Sequence, residues 1–247
     1  MNLKDAIQYL IETGARNEKP EVLEICGKTY CTKNMTRYDK LPKADSIDAN
    51  SLTALVDYIR SCNQDFPERR MIIHVQSPTS VVLMSFLDKE REREVLFRCR
   101  ATVSNFVFDK KYDQESFIIN LQANFIENED LRLIQSVAGN VEAKTTASYG
   151  DDGITQKATV SRGIAYKEDI IVPNPCVLIP YRTFQEVGQP ASTFVFRIHD
   201  EGTPYFRLIG ADNDMWKCEA IANIKGYLQD ALDDMPDRVK NGITIIG

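Results

Sequence analysis

The segment Val95-Leu96-Phe97-Arg98-Cys99-Arg100-Ala101-Thr102-Val103 alternates between two kinds of side chain. Its odd-numbered positions are apolar, whereas most of the others are charged or polar. A period of two is typical of a strand with one face packed and the other largely solvated. Apolar runs at Met71–Val75 and Val81–Leu87 precede it, with Pro78 in the turn between them. The sequence therefore predicts a β-sheet in this part of the chain.

Strands are also predicted on both sides of this region. A hairpin is expected over Glu21–Lys33, and another pairs Val141–Tyr149 with Ile154–Ile164 around a turn at Gly150–Gly153. A turn at Asp200–Thr203 is expected to join two later strands. The remaining predicted strands are Asp169–Val172, Cys176–Tyr181, Thr193–His199, Tyr205–Gly210 and Ile243–Ile246.

Apolar residues spaced three and four apart predict helices between the strands. The first helix is expected to end at Gly14, and the second to be capped by Asn50 or Ser51. Asp113 and Asn128 are expected to cap two consecutive helices, since their side chains can accept free N–H groups of a first turn. In the long helix that follows, Trp216 is interpreted as a core residue and Asp212-Asn213-Asp214 as the cap.

This order of elements predicts an α+β fold, mainly antiparallel β-sheet with helices packed on one side. The sequence shows neither an internal repeat nor a low-complexity linker. Residues 1–247 are therefore expected to form a single compact domain, with possible sub-lobes at 1–110 and 111–247.

The composition excludes several classes of protein. The 247 residues include 30 Lys and Arg against 36 Asp and Glu, a net charge of −6, which argues against a protein that coats nucleic acid by charge alone. The apolar stretches are too short to cross a bilayer, and Met1-Asn2-Leu3-Lys4-Asp5 does not resemble a signal peptide. The chain is therefore expected to be cytoplasmic and to have no membrane partner.

The sequence contains no complete zinc or cofactor motif. Of six cysteines, only Cys26 and Cys31 lie close together, and no second pair completes a zinc site. Phosphate-loop, dinucleotide, zinc-protease and nucleophile-elbow motifs are absent, and the two histidines are His74 and His199. The chain is therefore expected not to be an enzyme, and no catalytic residue, cofactor or metal is assigned.

One arrangement of charges still allows an enzyme. Glu142 and Lys144 are predicted to share a strand face, and Asp130 precedes them, which resembles the D…ExK pattern of Mg²⁺-dependent nucleases. An exposed strand face with alternating charges explains the same residues. Both interpretations stay open.

The segment Pro180-Tyr181-Arg182-Thr183-Phe184-Gln185-Glu186-Val187-Gly188-Gln189-Pro190 is unusual in its chemistry. We call it the proline-bracketed segment, because a proline restrains the backbone at each end. Its guanidinium, amide and aromatic groups could bind a planar anionic ligand, with Arg182 on a phosphate and Tyr181 or Phe184 on a ring. The alternative is structural: Phe184 fills the core and Arg182 pairs with Glu186.

Arg197 and Arg207 are predicted to face each other across the hairpin that leads to Gly210. Two adjacent cations require an anion or acidic neighbours. Asp212, Asp214 and Glu219 are the expected neighbours, and an internal ion network is the expected result.

From Gly150 to Arg197 and around Trp216-Lys217, the sequence resembles the YfdQ-like proteins of phages and prophages. The matching residues are Gly150–Gln156, Val172–Pro175, the proline-bracketed segment and Ala191–Arg197. Asp212-Asn213-Asp214-Met215 stands where similar proteins carry an Asp-Gly-Gly-like turn. The resemblance implies a phage accessory protein in the cytoplasm of a bacterial host.

This context leads to a functional hypothesis. The chain is expected to bind and sequester an anionic nucleotide signal of host antiviral defence without turning it over, as a possible homo-oligomer. The expected ligand-binding residues are Tyr181, Arg182, Thr183, Phe184, Glu186, Gln189 and Arg197. The alternative is an accessory protein of phage DNA recombination or replication that binds DNA or a partner enzyme, through Arg98, Arg100, Lys144 and Lys157.

Overall fold

A computed structural model describes residues 3–18, 22–25, 28–31, 42–61, 70–141, 155–162, 166–200 and 204–247. The chain divides into two compact units, Met1–Lys43 and Ala44–Gly247. The first unit contains helix α1 (Leu3–Glu18) and an antiparallel hairpin of β1 (Val22–Ile25) and β2 (Lys28–Cys31). The predicted hairpin is confirmed, but α1 continues past Gly14, because one glycine weakens a helix without ending it.

The second unit begins with a five-stranded sheet. It consists of β3 (Ile47–Ala49), β4 (Met71–Ser77), β5 (Ser80–Ser85), β6 (Val95–Arg100) and β13 (Ile243–Ile246). The spatial order is β13-β4-β5-β6-β3. The three central strands are antiparallel, as predicted, whereas β13 and β3 run parallel to their neighbours β4 and β6.

Three helices pack on one face of this sheet: α2 (Leu52–Ser61), α5 (Trp216–Asp233) and α6 (Asp237–Lys240). Helix α2 lies against β6, and α5 lies against β4 and β13. The alternation read from the sequence supplies the core, because Phe97 and Cys99 of β6 face inward while Arg100 is exposed. Ser51 caps α2 by accepting a hydrogen bond from the N–H of Ala54 at 3.2 Å.

A second, four-stranded antiparallel sheet has its own core. It consists of β7 (Phe125–Ile126), β10 (Cys176–Pro180), β11 (Ser192–Asp200) and β12 (Pro204–Gly210), in the order β12-β11-β10-β7. Helices α3 (Gln114–Asn124) and α4 (Glu129–Asn140) cover its inner face. Phe117, Phe196 and Phe206 stack in this core, with ring centroids 5.1 to 6.3 Å apart.

A hairpin of β8 (Thr155–Arg162) and β9 (Tyr166–Pro173) lies beside α4. The helices and sheets of the second unit confirm the predicted α+β class. The predicted strand at residues 141–149 and the turn at 150–153 fall almost entirely outside the described residues. Within the part of the chain that the structure describes, we find no helix with the length and apolar character needed to cross a membrane.

The predicted caps of α3 and α4 are confirmed. Asp113 accepts a hydrogen bond from the N–H of Ser116 at 2.8 Å, and Asn128 accepts one from the N–H of Leu131 at 2.8 Å. The bonds from Ser116 hold the pKa of the Asp113 carboxyl below its usual value. Both caps were predictable because their chemistry is local to one helical turn.

Candidate functional site

The proline-bracketed segment joins the two cores. It starts at Pro180, the last residue of β10, and leads to β11, both in the four-stranded sheet, but Phe184 and Val187 are buried in the core of the five-stranded sheet. Thr183, 1% exposed, donates from its hydroxyl to the carbonyl of Pro78 in the β4–β5 turn. The segment is therefore anchored by side chains that point away from solvent.

Gln189 fixes the conformation of this segment from within. Its side-chain carbonyl accepts from the N–H groups of Arg182 at 2.9 Å and Thr183 at 3.1 Å. Its amide donates to the carbonyls of Phe184 at 2.9 Å and Val187 at 3.3 Å. All of these partners are main-chain groups, so the amide replaces the regular pairing that the loop lacks.

Glu186 binds the start of α2. Its carboxylate accepts from the backbone N–H of Leu52 at 2.7 Å and of Thr53 at 3.2 Å. A negative charge at this position also suits the helix dipole. The predicted pairing of Arg182 with Glu186 is therefore wrong, because the carboxylate of Glu186 is bound by the first N–H groups of α2.

Arg182 is directed instead toward an aromatic ring. Its guanidinium carbon lies 4.0 Å from the centroid of the Trp216 ring and 5.8 Å from that of Phe194. One terminal nitrogen donates to the hydroxyl of Ser192 and, at 3.5 Å, to the carbonyl of Pro190. The side chain is half-buried, and its Nε is buried without a hydrogen-bond partner.

The electrostatic surroundings of Arg182 are mixed. Burial lowers the pKa of the guanidinium to about 10, while the nearby carboxylates of Asp212 and Asp214 act in the opposite direction. The group is still a cation at neutral pH. Asp212 has one buried carboxylate oxygen without a hydrogen-bond partner. The guanidinium of Arg182 and the carboxylate of Asp212 are therefore near each other without a hydrogen bond between them.

Residues 212–215 form the turn that presents Trp216. Asn213 and Asp214 have positive φ angles of 48° and 62°, a conformation that Asn and Asp tolerate better than most residues. The N-cap of α5 is Met215, without a side-chain cap, so the predicted cap on residues 212–214 is wrong. Asp214 instead accepts from the indole N–H at 3.3 Å and from Lys217 Nζ at 2.8 Å, and the bond from Lys217 lowers the pKa of its carboxyl.

Trp216 lines an open cavity of about 400 Å³, which we call the Trp216 cavity. The cavity lies between the start of α5 and the strands β10 and β11. Most of its wall is apolar or hydroxylic, with two carboxylates. The lining residues are Val177, Ala191, Ser192, Thr193, Asp212, Met215, Trp216, Cys218 and Glu219.

A second open cavity, of about 440 Å³, lies at the start of α2. Its lining includes Asn50, Ser51, Gln185 and Glu186. The Glu186 carboxylate in this cavity is already bound by the backbone N–H groups of Leu52 and Thr53, and the one aromatic ring of the cavity, Phe184, is buried in the core. The Trp216 cavity, with an aromatic ring and a neighbouring cation, is the better candidate for a ligand.

The second sheet has an outer face, which is the face turned away from α3 and α4. Arg197 and Arg207 are direct cross-strand partners on this face, as predicted, and His199 pairs with Tyr205 one step further along. The acidic neighbour of Arg207 is Asp109, with which it forms an ion pair. This differs from the predicted neighbours, because residues 212–219 leave the sheet and form the start of α5.

The structure thus disperses the seven predicted site residues. Phe184 and Thr183 are buried, Gln189 and Glu186 bind the backbone, and Tyr181 is 39% exposed with its N–H bound to the carbonyl of Asn124. Arg182 lies beside the Trp216 cavity, while Arg197 lies further along β11.

The sequence analysis predicted Trp216 as a core residue, yet its ring lines the cavity. The feature of the sequence that indicates a binding role is a single tryptophan directly after an acidic turn.

The residues of the alternative hypotheses are only partly described. Glu142 and Lys144 lie outside the described residues, as does the side chain of Lys157. Asp130 accepts from the N–H of Val177 at 2.7 Å, and Arg98 donates to the hydroxyl of Ser46 at 3.1 Å. Within the described ranges, no group of three or more His, Cys, Asp or Glu residues could hold a metal ion.

Comparisons with known proteins add no assignment. No protein-family model, curated protein or solved structure matches this chain.

Proposed function

We propose that this chain is a non-enzymatic binding protein that holds a nucleotide-type ligand with its base against Trp216. The observation that carries the proposal is the position of the Arg182 guanidinium over Trp216, whose ring lines an open cavity. A large aromatic ring held in place by a neighbouring guanidinium is well suited to stack on a flat base. Hydroxyls of Ser192 and Thr193 add hydrogen-bonding groups to the same wall.

The charges of the cavity favour a particular orientation of the ligand. Asp212 and Glu219 line the cavity, so a phosphate inside it would meet two carboxylates. The base therefore enters the cavity and the phosphate stays outside. In this arrangement Arg182 positions the indole ring. Cationic side chains outside the cavity, and not Arg182, bind the phosphate.

The biological role in this proposal comes from the resemblance to the YfdQ-like phage proteins. A phage protein that binds a nucleotide without converting it would lower the concentration of that nucleotide in the host cell. Sequestration of a nucleotide signal of host defence fits such a role, and stacking in a cavity requires no general acid or base.

The proposal is tested with the intrinsic fluorescence of the protein, because Trp216 is the only tryptophan in the sequence. Titration with adenine, guanine, cytosine and uracil nucleotides is expected to quench the emission with a saturable dependence on at least one of them. Trp216→Leu should abolish binding measured by calorimetry, whereas Tyr181→Leu, on an exposed ring outside the cavity lining, should not.

Two results would contradict the proposal. One is a set of titrations in which no nucleotide changes the emission or releases heat. The other is a nucleotide that returns chemically altered after incubation with the pure protein, because this would indicate an enzyme.

A further inference from the structure

Resting on the proposed function, we infer that the ligand contains two or more linked nucleotide units and lies along β11. One base occupies the Trp216 cavity, and a phosphate further along the chain reaches Arg197 and Arg207. The chemical class is a short single-stranded oligonucleotide.

The first step of the argument is that the cavity and the two arginines share one face. Thr193 lines the cavity, and Arg197 follows it on the same strand. Side chains two and four residues apart in a strand point to the same side. The inward positions between them, Phe194 and Phe196, are 1% exposed, so Thr193, Val195 and Arg197 all face outward.

The second step is the distance. Strands rise by about 3.4 Å per residue, so the backbones of Thr193 and Arg197 lie roughly 14 Å apart along β11. Stacked nucleotides are about 3.4 Å apart along a strand, so this distance corresponds to about four stacked units, or fewer in an extended chain. A mononucleotide in the cavity supplies only about one of these units.

The third step is the chemistry along this path. Val195 and its cross-strand partner Ile209 form an apolar middle section that suits bases and sugars. Beyond it, Arg197 and Arg207 are direct cross-strand partners, so two side chains that can donate to a phosphate start from neighbouring positions on one face. Asp109 contacts Arg207 from one side and holds that side chain in place.

The far end of the path has a second ring. Tyr205 lies next to Arg207 in the same sheet, with its ring centroid 6.3 Å from that of His199. Lys111 places its ammonium 4.4 Å from the Tyr205 centroid. Aromatic rings alternating with cations are the pattern by which proteins bind single-stranded nucleic acids.

The test compares lengths on the intact protein. Trp216 emission is titrated with a mononucleotide and with single-stranded homo-oligonucleotides of two, three, four and six units, using the base that binds best. Affinity is expected to rise at least tenfold between one and four units and then to level off. Arg207→Gln should reduce the tetranucleotide affinity about tenfold and leave the mononucleotide affinity unchanged.

The matched control is Arg132→Gln, which removes an exposed arginine of α4 that also pairs with a carboxylate, Glu127. This variant should bind both ligands as the parent does. Salt dependence gives a second readout, since each phosphate contact to a single strand contributes about −0.7 to the slope of log K against log salt. Arg207→Gln should lower that slope by about one contact, a change that a merely structural effect would not produce.

Equal affinity for one and four units would overturn this inference and leave the proposed function standing. Affinity that keeps rising with length well beyond six units would also overturn it, because it would indicate a general nucleic-acid surface. Absence of quenching by every ligand, the mononucleotide included, would instead count against the proposed function itself.

Discussion

The guanidinium of Arg182 lies over the ring of Trp216, with 4.0 Å between its central carbon and the ring centroid. The two residues come from different elements, the proline-bracketed segment and the first turn of α5. Burial of the guanidinium lowers its pKa to about 10, yet it keeps its charge at neutral pH. The Trp216 ring is thus held by a guanidinium that is partly buried and whose Nε has no hydrogen-bond partner.

Replacing Arg182 should loosen this ring. Arg182→Met keeps an unbranched stem but removes the cation, which is worth about 1 kcal/mol in such contacts, or about fivefold in affinity. We expect a shift in the emission maximum of Trp216 and nucleotide binding weakened by about that factor. Arg182→Lys should show a smaller shift, because it keeps the charge. An unchanged spectrum in both variants would contradict the stack.

Glu186 should contribute to stability through α2. Glu186→Ala removes the acceptor for the N–H groups of Leu52 and Thr53, and is expected to lower the free energy of unfolding by about 1–2 kcal/mol. Gln185→Ala, at the exposed neighbouring position, is the control and should change it by less than about 0.5 kcal/mol. Urea denaturation measures both; equal losses would show that the contact with α2 is not the cause.

Gln189 should matter more than its half-exposed position suggests. Gln189→Leu leaves two N–H groups and two carbonyls of the proline-bracketed segment without their partner, and we expect a loss of about 2–4 kcal/mol. Gln189→Glu keeps the acceptor and loses only the donors, so its loss should be smaller. Thermal and urea unfolding compare the stability losses of the two variants. A larger loss for Gln189→Glu than for Gln189→Leu would show that the bonds donated to the carbonyls of Phe184 and Val187 matter most.

The cysteines should differ in reactivity. Burial raises the pKa of both Cys99 and Cys176 to about 12, with Glu186 and Asp130 adding to the effect, whereas Cys31 and Cys218 are exposed. At pH 8, roughly one buried thiol in ten thousand is then ionised. Peptide mapping after alkylation of the folded protein should find Cys218 modified and Cys99 and Cys176 intact, with all of them modified in guanidinium chloride. Rapid native labelling of Cys99 would contradict this.

Asp113 should give stability a specific dependence on pH. The pKa of its carboxyl is lower in the folded state than the ordinary value of about 3.9. The ionised carboxyl therefore contributes fully to the free energy of unfolding above about pH 3.9, and this contribution is lost as the pH falls through the lowered pKa. Asp113→Asn, which still caps the helix, should match the parent at pH 7 and lose less stability on acidification. Asp113→Ala should cost about 1 kcal/mol at pH 7. Urea unfolding at pH 7 and pH 2.5 separates the cases.

The part of the fold that depends on local chemistry was predictable from the sequence. The caps at Asp113 and Asn128 and the register of Arg197 against Arg207 follow from side chains within one turn or one hairpin. The parallel pairing of β13 with β4 was not predictable, because no local pattern records which distant strand a terminal segment joins.

The candidate site was predictable only in part, for the same reason. The chemistry of the proline-bracketed segment was visible, but the partner of each side chain was not. Glu186 is near Arg182 in the chain, yet the start of α2 takes its carboxylate. In the sequence, Trp216 fits the inward-facing stripe of its helix. Its contact with Arg182 comes from a distant part of the chain, so the sequence does not indicate that the ring lines a cavity.

The pairing of β13 with β4 also affects how the protein is made on the ribosome. Of the two, strand β4 emerges first in translation, and Ile243–Ile246 emerges only after the more than 160 residues that separate the two strands. Until then, one edge of β4 has no neighbour. A nascent chain stalled before β13 would therefore present an open strand edge to chaperones and to other nascent chains.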